Sequence, residues 1–340
     1  MPILTRSRAP AVVSCLLVLA IGAWAQSPTA AIGSMLPHEN AGLPGPALPA
    51  AETFRTRVDE VNVIFTVSNS SGKYVNQLSL DDLTVLDDQR APERISYFQR
   101  QSDLPLRVGI LVDLSDSITQ RFAYEKSAAA MFLEKVLRPQ LDEAFIVGFA
   151  SSVVLHQDFT GDIGLLSKAI KQLRAGGDTR LYDAICFAAD KLAKAPGPAT
   201  ARRAIILISD GEDTRSKTLM YDAIHAALRS ETTIFVLSSN DISGQQYPHG
   251  EAVLELISRP TGGGVLPAHS KPQIANAFNR VKEALRSQYA IGYKPAEFKL
   301  DGSFRSIEIV PHHHKLRVHC RRGYFAPRET QESAVHPTRP

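Results

Sequence analysis

Two uninterrupted apolar runs that each end in an aspartate constrain this chain more than any other feature. Val108-Gly109-Ile110-Leu111-Val112 leads into Asp113, and Ala204-Ile205-Ile206-Leu207-Ile208 leads through Ser209 into Asp210. A strand that is apolar at every position has no solvent face, which is the pattern of a parallel sheet covered by helices on both sides. Each carboxylate then stands at the carboxyl end of its strand, and ligands of open α/β sheets gather in the crevice outside those ends.

The residues that follow add oxygen ligands. In Asp113-Leu114-Ser115-Asp116-Ser117 one carboxylate and two hydroxyls alternate through a turn that precedes a helix expected from about Thr119 to Leu137. An aspartate with neutral hydroxyls is an all-oxygen set, better suited to Mg²⁺ or Mn²⁺ than to zinc. Ser115 and Ser117 fit plain helix capping equally well when taken alone. Between the two apolar runs, Gly176-Gly177-Asp178-Thr179 forms a glycine loop that opens an apolar-periodic helix. There the Thr179 hydroxyl can meet a metal or cap the helix. After Asp210, Gly211 allows a sharp turn.

Around these motifs the elements alternate. Strand Arg107–Asp113 is followed by a helix, then by a hairpin of Phe145–Phe149 and Val153–Phe159, and then by helices over Ile163–Leu173 and Leu181–Leu192. Strand Ala204–Ile208, helix Leu219–Leu228 and strand Thr233–Leu237 complete the run, with a last helix near Gln273–Leu285. This order predicts an α/β fold with a doubly wound, mostly parallel, Rossmann-like sheet.

Taken together, D-x-S-x-S at Asp113, Ser115 and Ser117, the loop threonine Thr179 and the post-strand Asp210 resemble a von Willebrand factor type A (VWA) domain. The resemblance includes that family's metal-ion-dependent adhesion site (MIDAS) and covers slightly more than half of the chain. It implies that Ser115 and Ser117 ligate a divalent cation directly within the first loop, and that Thr179 and Asp210 do so directly or through water. The cation implied is Mg²⁺ in the first place, with Mn²⁺ or Ca²⁺ as alternatives, and the function implied is metal-dependent adhesion to a protein partner that presents an acidic residue. Asp116 and Asp178 depart from the commonest bacterial form, in which glycine is frequent at both positions, and each adds a carboxylate near the site.

The flanks read as strands. Val61–Val67 precedes the turn Asn69-Ser70-Ser71-Gly72, Leu83–Leu86 and Ile95–Phe98 give a pair of strands around Asp87-Asp88-Gln89, and Tyr289–Tyr293, Ser306–Val310 and Leu316–Cys320 follow the central domain. Each flank, at about 45 residues, is too short to fold alone. The two are therefore expected to join in one smaller, β-rich, sandwich-like domain into which the α/β domain is inserted. Leu83-Thr84-Val85 with Asp87-Asp88, Ser287–Tyr293, and Arg321-Arg322-Gly323-Tyr324 resemble the flanks of secreted bacterial proteins built around such a domain.

At the N-terminus, Arg6 and Arg8, the apolar stretch Ala11–Ile21 and Ala23-Trp24-Ala25 have the form of a secretory signal peptide cleaved before Gln26. A secreted or periplasmic location follows, the alternative being an uncleaved membrane anchor. Val12-Val13-Ser14-Cys15 is a poor lipoprotein box, because the apolar stretch mostly follows the cysteine. The expected division is 1–25 signal peptide, 26–52 disordered linker, 53–103 and 288–327 β-rich domain, 104–287 VWA domain and 328–340 disordered tail.

Several other functions fit poorly. A net charge of only +3, with no basic run interleaved with aromatics, gives no nucleic-acid signature. Past the leader, no stretch approaches the roughly 18 consecutive apolar residues of a membrane span. A Mg²⁺-dependent phosphotransferase or hydrolase of the haloacid-dehalogenase type is the enzymatic alternative, and it needs a second aspartate two positions after the first, where Ser115 stands. A protein with no catalytic residues is therefore expected. In a third alternative the metal is purely structural. His312-His313-His314 is expected on a solvated turn, and Cys186 and Cys320 are expected buried and reduced.

Overall fold

The structure is a computed structural model that describes residues 60–116, 122–198, 201–240 and 248–328. The expected signal peptide and linker, nearly all of the tail, and Ser117 lie outside the described residues.

The apolar run before Asp113 is strand β4 (Leu106–Asp113), buried at every position. It sits in the middle of a six-stranded sheet because both of its edges are paired. On one side runs β5 (Glu143–Phe149), on the other β7 (Arg202–Ser209), both parallel to it. Beyond β7 come β8 (Thr232–Ser238) and the short β9 (Gly264–Pro267), also parallel. Beyond β5 the edge strand β6 (Val153–Thr160) runs antiparallel, closing the expected hairpin. The order β6-β5-β4-β7-β8-β9 reverses direction at β4. Such a reversal is a topological switch point, and it lies beside Asp113.

Alternation along the strands feeds two cores. Val108, Ile110 and Val112 of β4, with Ile206 and Ile208 of β7, pack against α1 (Phe122–Val136), α2 (Ile163–Gln172) and α6 (Lys271–Arg286). Leu111, Ile205 and Leu207 pack on the opposite face against α3 (Leu181–Ala193), α4 (Met220–Arg229) and α5 (Pro248–Ser258). The sheet is thus covered on both faces, as its continuous apolar strands require. Helix α5 and strand β9 have no counterpart in the sequence reading. Within Thr-Gly-Gly-Gly-Val-Leu-Pro at residues 261–267, Gly264–Pro267 become a strand by pairing with the edge of β8.

The two flanks interleave in a pair of antiparallel sheets. β1 (Val61–Asn69) lies between β10 (Gln288–Lys294) and β12 (Leu316–Cys320), and β3 (Arg94–Gln101) adds to β10. The second sheet is formed by β2 (Leu83–Asp87), β11 (Phe304–Pro311) and β13 (Gly323–Phe325). Val63, Phe65, Val85, Tyr289, Ile291, Ile307 and Ile309 share one core between the sheets, so neither flank is complete without the other. The strands around Asp87-Asp88-Gln89 both form, but in different sheets: β2 pairs with β11 and β3 with β10. Asp88 and Gln89 adopt φ of 46° and 65° where the chain turns after β2. Asp87 is buried and accepts hydrogen bonds from the Tyr293 and Tyr324 hydroxyls at 2.8 and 2.9 Å.

Asp142 marks where the α/β part joins the flanks. Its carboxylate accepts the Leu106 amide at the start of β4 (2.9 Å) and the Arg138 amide (2.8 Å), and it pairs with Arg286 at the end of α6. Both crossings into the β-rich part are therefore fixed to one buried side chain.

Cys186 and Cys320 are free and only partly buried, less enclosed than expected, and burial pushes the Cys320 thiol up to about 11. His312–His314 lie on the turn between β11 and β12, His313 and His314 stacked at 5.2 Å. Among the described residues no helix is long and apolar enough to cross a membrane.

Candidate functional site

Asp113 ends β4 with its side chain fully buried. One carboxylate oxygen accepts the Ser115 amide at 2.9 Å and the other accepts the Ser209 hydroxyl at 2.8 Å. Ser209 is placed there by register: Val112 lies opposite Ile208, so the next residue of each strand meets across the β4–β7 pair. The Ser209 hydroxyl in turn accepts the Gly211 amide at 3.0 Å. Sequence reasoning passed over Ser209, although its position one residue before Asp210 at the end of the adjacent strand was the available signal.

Burial pushes the Asp113 carboxyl up to about 6, against the pull of hydrogen bonds from Ser115 and Ser209, and the charge of Asp210 pushes it further in the same direction. The Asp210 carboxylate is thus near enough to disfavour the charged form of Asp113. Among the described residues no cation pairs with Asp113. A buried carboxylate with no cation beside it among the described residues, and with a second carboxylate near, is an electrostatic setting a divalent cation relieves.

Three loops are bolted together around it. The Gly176 amide donates to the Leu114 carbonyl (2.6 Å) and the Asp116 amide donates to the Gly177 carbonyl (3.0 Å), which ties the glycine loop to the turn after β4. Thr179, buried at the end of the glycine loop, donates its amide to the Thr214 hydroxyl (2.9 Å), and its carbonyl accepts the Thr214 and Arg215 amides (3.0 and 2.9 Å). Asp213 accepts the Leu181 amide at 2.8 Å, so the N-terminus of α3 is capped from the neighbouring loop, Arg180 providing no side-chain cap. Asp183 reciprocates, accepting the amides of Lys217 and Thr218 at 3.0 Å. Asp213 thus caps α3 from a neighbouring loop.

Gly211 has φ of +89°, and a Cβ there would fall 2.4 Å from the carbonyl oxygen of Gly250 in α5. Only glycine fits this turn. The Asn240 side chain donates to the Asp210 carbonyl at 2.9 Å, fixing the backbone of the third loop from the end of β8.

Of the five candidate ligands, four have described positions. Asp113, Ser115, Thr179 and Asp210 all stand at or just beyond the carboxyl edge of the sheet, on loops that hydrogen-bond to one another. Ser117 lies outside the described residues. The two additional carboxylates, Asp116 and Asp178, are both exposed; Asp178 is engaged by Arg215 at 3.1 Å, and its amide donates to the Ser151 hydroxyl at 3.0 Å. Among the described residues no group of three or more His, Cys, Asp or Glu could hold a metal, and the His312–His314 turn is no exception. A site here would rest on two carboxylates with hydroxyls, a donor set for a hard cation.

Residues 108–212 match the family model of the von Willebrand factor type A domain, a stretch that contains every one of the five candidate ligands. Among solved structures the chain is similar to a von Willebrand factor type A protein from Catenulispora acidiphila, with 13% identity, 79% of this chain and 74% of that chain covered, and a TM-score of 0.46. It is similar to an aerotolerance-related membrane protein from Bacteroides fragilis, with 18% identity, 53% and 98% covered, and a TM-score of 0.42. The PilB minor pilin from Streptococcus sanguinis gives 13% identity, 55% and 62% covered, and a TM-score of 0.43. No curated protein matches the chain.

Proposed function

We propose that this chain is a secreted or periplasmic interaction protein that holds a divalent cation, Mg²⁺ foremost, at Asp113, Ser115, Ser117, Thr179 and Asp210, and uses it to bind an acidic group of a protein partner. One observation carries the reading: the fully buried Asp113 carboxylate lies within the electrostatic influence of Asp210, and no cation of the described residues pairs with it. When bound, the cation supplies an electrophilic position that a partner carboxylate can enter in place of water.

The chain's own residues prepare that position. Ser115 and Ser209 orient the Asp113 carboxylate, so that its negative charge is delivered in a fixed direction. Hydroxyl ligands add oxygens without adding charge, which leaves the ion able to attract an anion. The hydrogen bonds between loops hold Thr179 and Asp210 in place before any ligand arrives, limiting the ordering that binding requires. The signal-peptide pattern at residues 1–25 supports export, and Ser115 in place of an aspartate supports an interaction role over phosphoryl transfer.

The test is a titration of the purified mature protein with Mg²⁺, Mn²⁺ and Ca²⁺ beside Asp113→Ala. Saturable binding by the wild type alone supports the site, and equal binding by both proteins overturns it. Capture of partners from cell-envelope extract with and without EDTA then separates adhesion from a structural ion. Recovery that survives chelation while the melting temperature falls would assign the ion a structural role.

A further inference from the structure

The opposite end of the sheet carries a second charged site. Where β7 and β8 begin, a recess of about 200 Å³ opens between them and the sheet formed by β12, β1, β10 and β3. Arg202, Arg203 and Arg321 line it, with Tyr97, Gln288 and Glu231. Arg202 is only 4% exposed, deep enough that a guanidinium ordinarily has a carboxylate beside it. Among the described residues it has none: its Nη2 donates to the backbone and side-chain oxygens of Gln101 at 3.0 and 3.2 Å, and its Nε and Nη1 find no acceptor there.

The neighbouring charges do not supply one. Asp142 is already shared by Arg138 and Arg286, and Glu231 is engaged by Arg321 at 2.8 Å. The Nε groups of Arg203 and Arg321 are likewise buried without acceptors. Three guanidinium groups thus line one recess with a single carboxylate among the described residues, and each has at least one buried N–H without an acceptor there. A void of this size exceeds the roughly 10–15 Å³ that one water needs, so it has room for a multi-atom ligand.

We propose that this recess binds one small oxyanion, a phosphate or a carboxylate group, through Arg202, Arg203 and Arg321. The anion completes the hydrogen bonding of the buried guanidiniums and neutralises the excess positive charge. It lies between strands of the α/β sheet and strands of the flanks, so its occupancy couples the two parts of the fold. Inorganic phosphate and a free organic acid are the two sources of this chemistry.

The experiment uses the full chain with EDTA present, which keeps the readout independent of the divalent-cation site. Melting temperature is followed against inorganic phosphate and, separately, acetate, at constant ionic strength in a bulky sulfonate buffer. A saturable rise in the wild type supports the site, and the anion with the lower half-saturation point names the source. Arg202→Met should weaken the response by about tenfold or more. In anion-free buffer it should melt no lower than the wild type, since it removes a buried unpaired charge. Arg322→Gln, an exposed arginine outside the recess, should respond like the wild type. If Arg202→Met does not fold, Arg203→Gln and anomalous density from selenate-soaked crystals replace it. No response in the wild type, an equal response in Arg202→Met, or density for water alone in the recess would overturn the proposal.

Discussion

Replacing Asp142 tests how the α/β part is held to the flanks. Its carboxylate is fully buried and serves the Leu106 amide, the Arg138 amide and the Arg286 guanidinium. In Asp142→Ala both amides lose their acceptor, at about 1–3 kcal/mol each when buried. Arg286, with 16% of its side chain exposed, loses its carboxylate, and breaking such a pair from one side costs about 3–5 kcal/mol. These penalties overlap, because Arg286 keeps its bond to the Leu104 carbonyl at 3.2 Å and water can reach Arg138, so the expected net loss is about 4 kcal/mol. At roughly 2–4 °C per kcal/mol for a domain of this size, the melting temperature should fall by about 8–16 °C. Asp142→Asn keeps one acceptor oxygen and should lose about half as much. Differential scanning calorimetry at neutral pH reads both variants, and added salt should change the wild-type value little, since the pair is shielded from solvent. An Asp142→Ala protein that melts within about 2 °C of the wild type would refute the role of this carboxylate as the anchor of both crossings.

Asp113→Asn probes the candidate metal centre without metal. Because the folded-state carboxyl is raised from 3.8 to about 6, the folded protein holds that proton more tightly than the unfolded chain does. The resulting stability is present below 3.8 and is lost as pH rises through about 6, which amounts to about 3 kcal/mol. The amide avoids this penalty but disturbs the Ser209 bond, at about 1 kcal/mol. In EDTA at about pH 8, Asp113→Asn should therefore be more stable by about 2 kcal/mol, an advantage that fades toward pH 4, and it should gain nothing from added Mg²⁺. A variant less stable than the wild type at pH 8 would show that the buried charge is balanced. Gly211→Ala should cost about 3 kcal/mol, from a positive φ together with a clash against the Gly250 carbonyl, and should abolish cation binding even where the protein still folds. Wild-type affinity in that variant, measured by titration calorimetry, would disprove the need for this turn.

How much of the protein was legible in its sequence depended on range. Val108–Val112 and Ala204–Ile208 are apolar at every position, so their burial in a sheet covered on both faces follows from composition and periodicity alone. The oxygens at Asp113, Ser115, Thr179 and Asp210 are local features of strand ends and turns, and local features are what a sequence displays. Gly264–Pro267 carry no strand signal of their own and form β9 by pairing with the edge of β8. The strands around Asp87 were equally visible, but their separation into two sheets was decided by β10 and β11, some two hundred residues further along the chain.

The chemistry divides in the same way. The sequence by itself determined which residue types gather at the carboxyl edge of the sheet, because alternation and turn composition fix where each strand stops. Only the tertiary structure decided that Ser209 supports Asp113, that Asp213 caps the helix after Thr179, and that Arg202 is buried with no carboxylate paired to it among the described residues. Each of these depends on which distant segments become neighbours, and that is settled by the packing of whole elements, where no short pattern of residues records it.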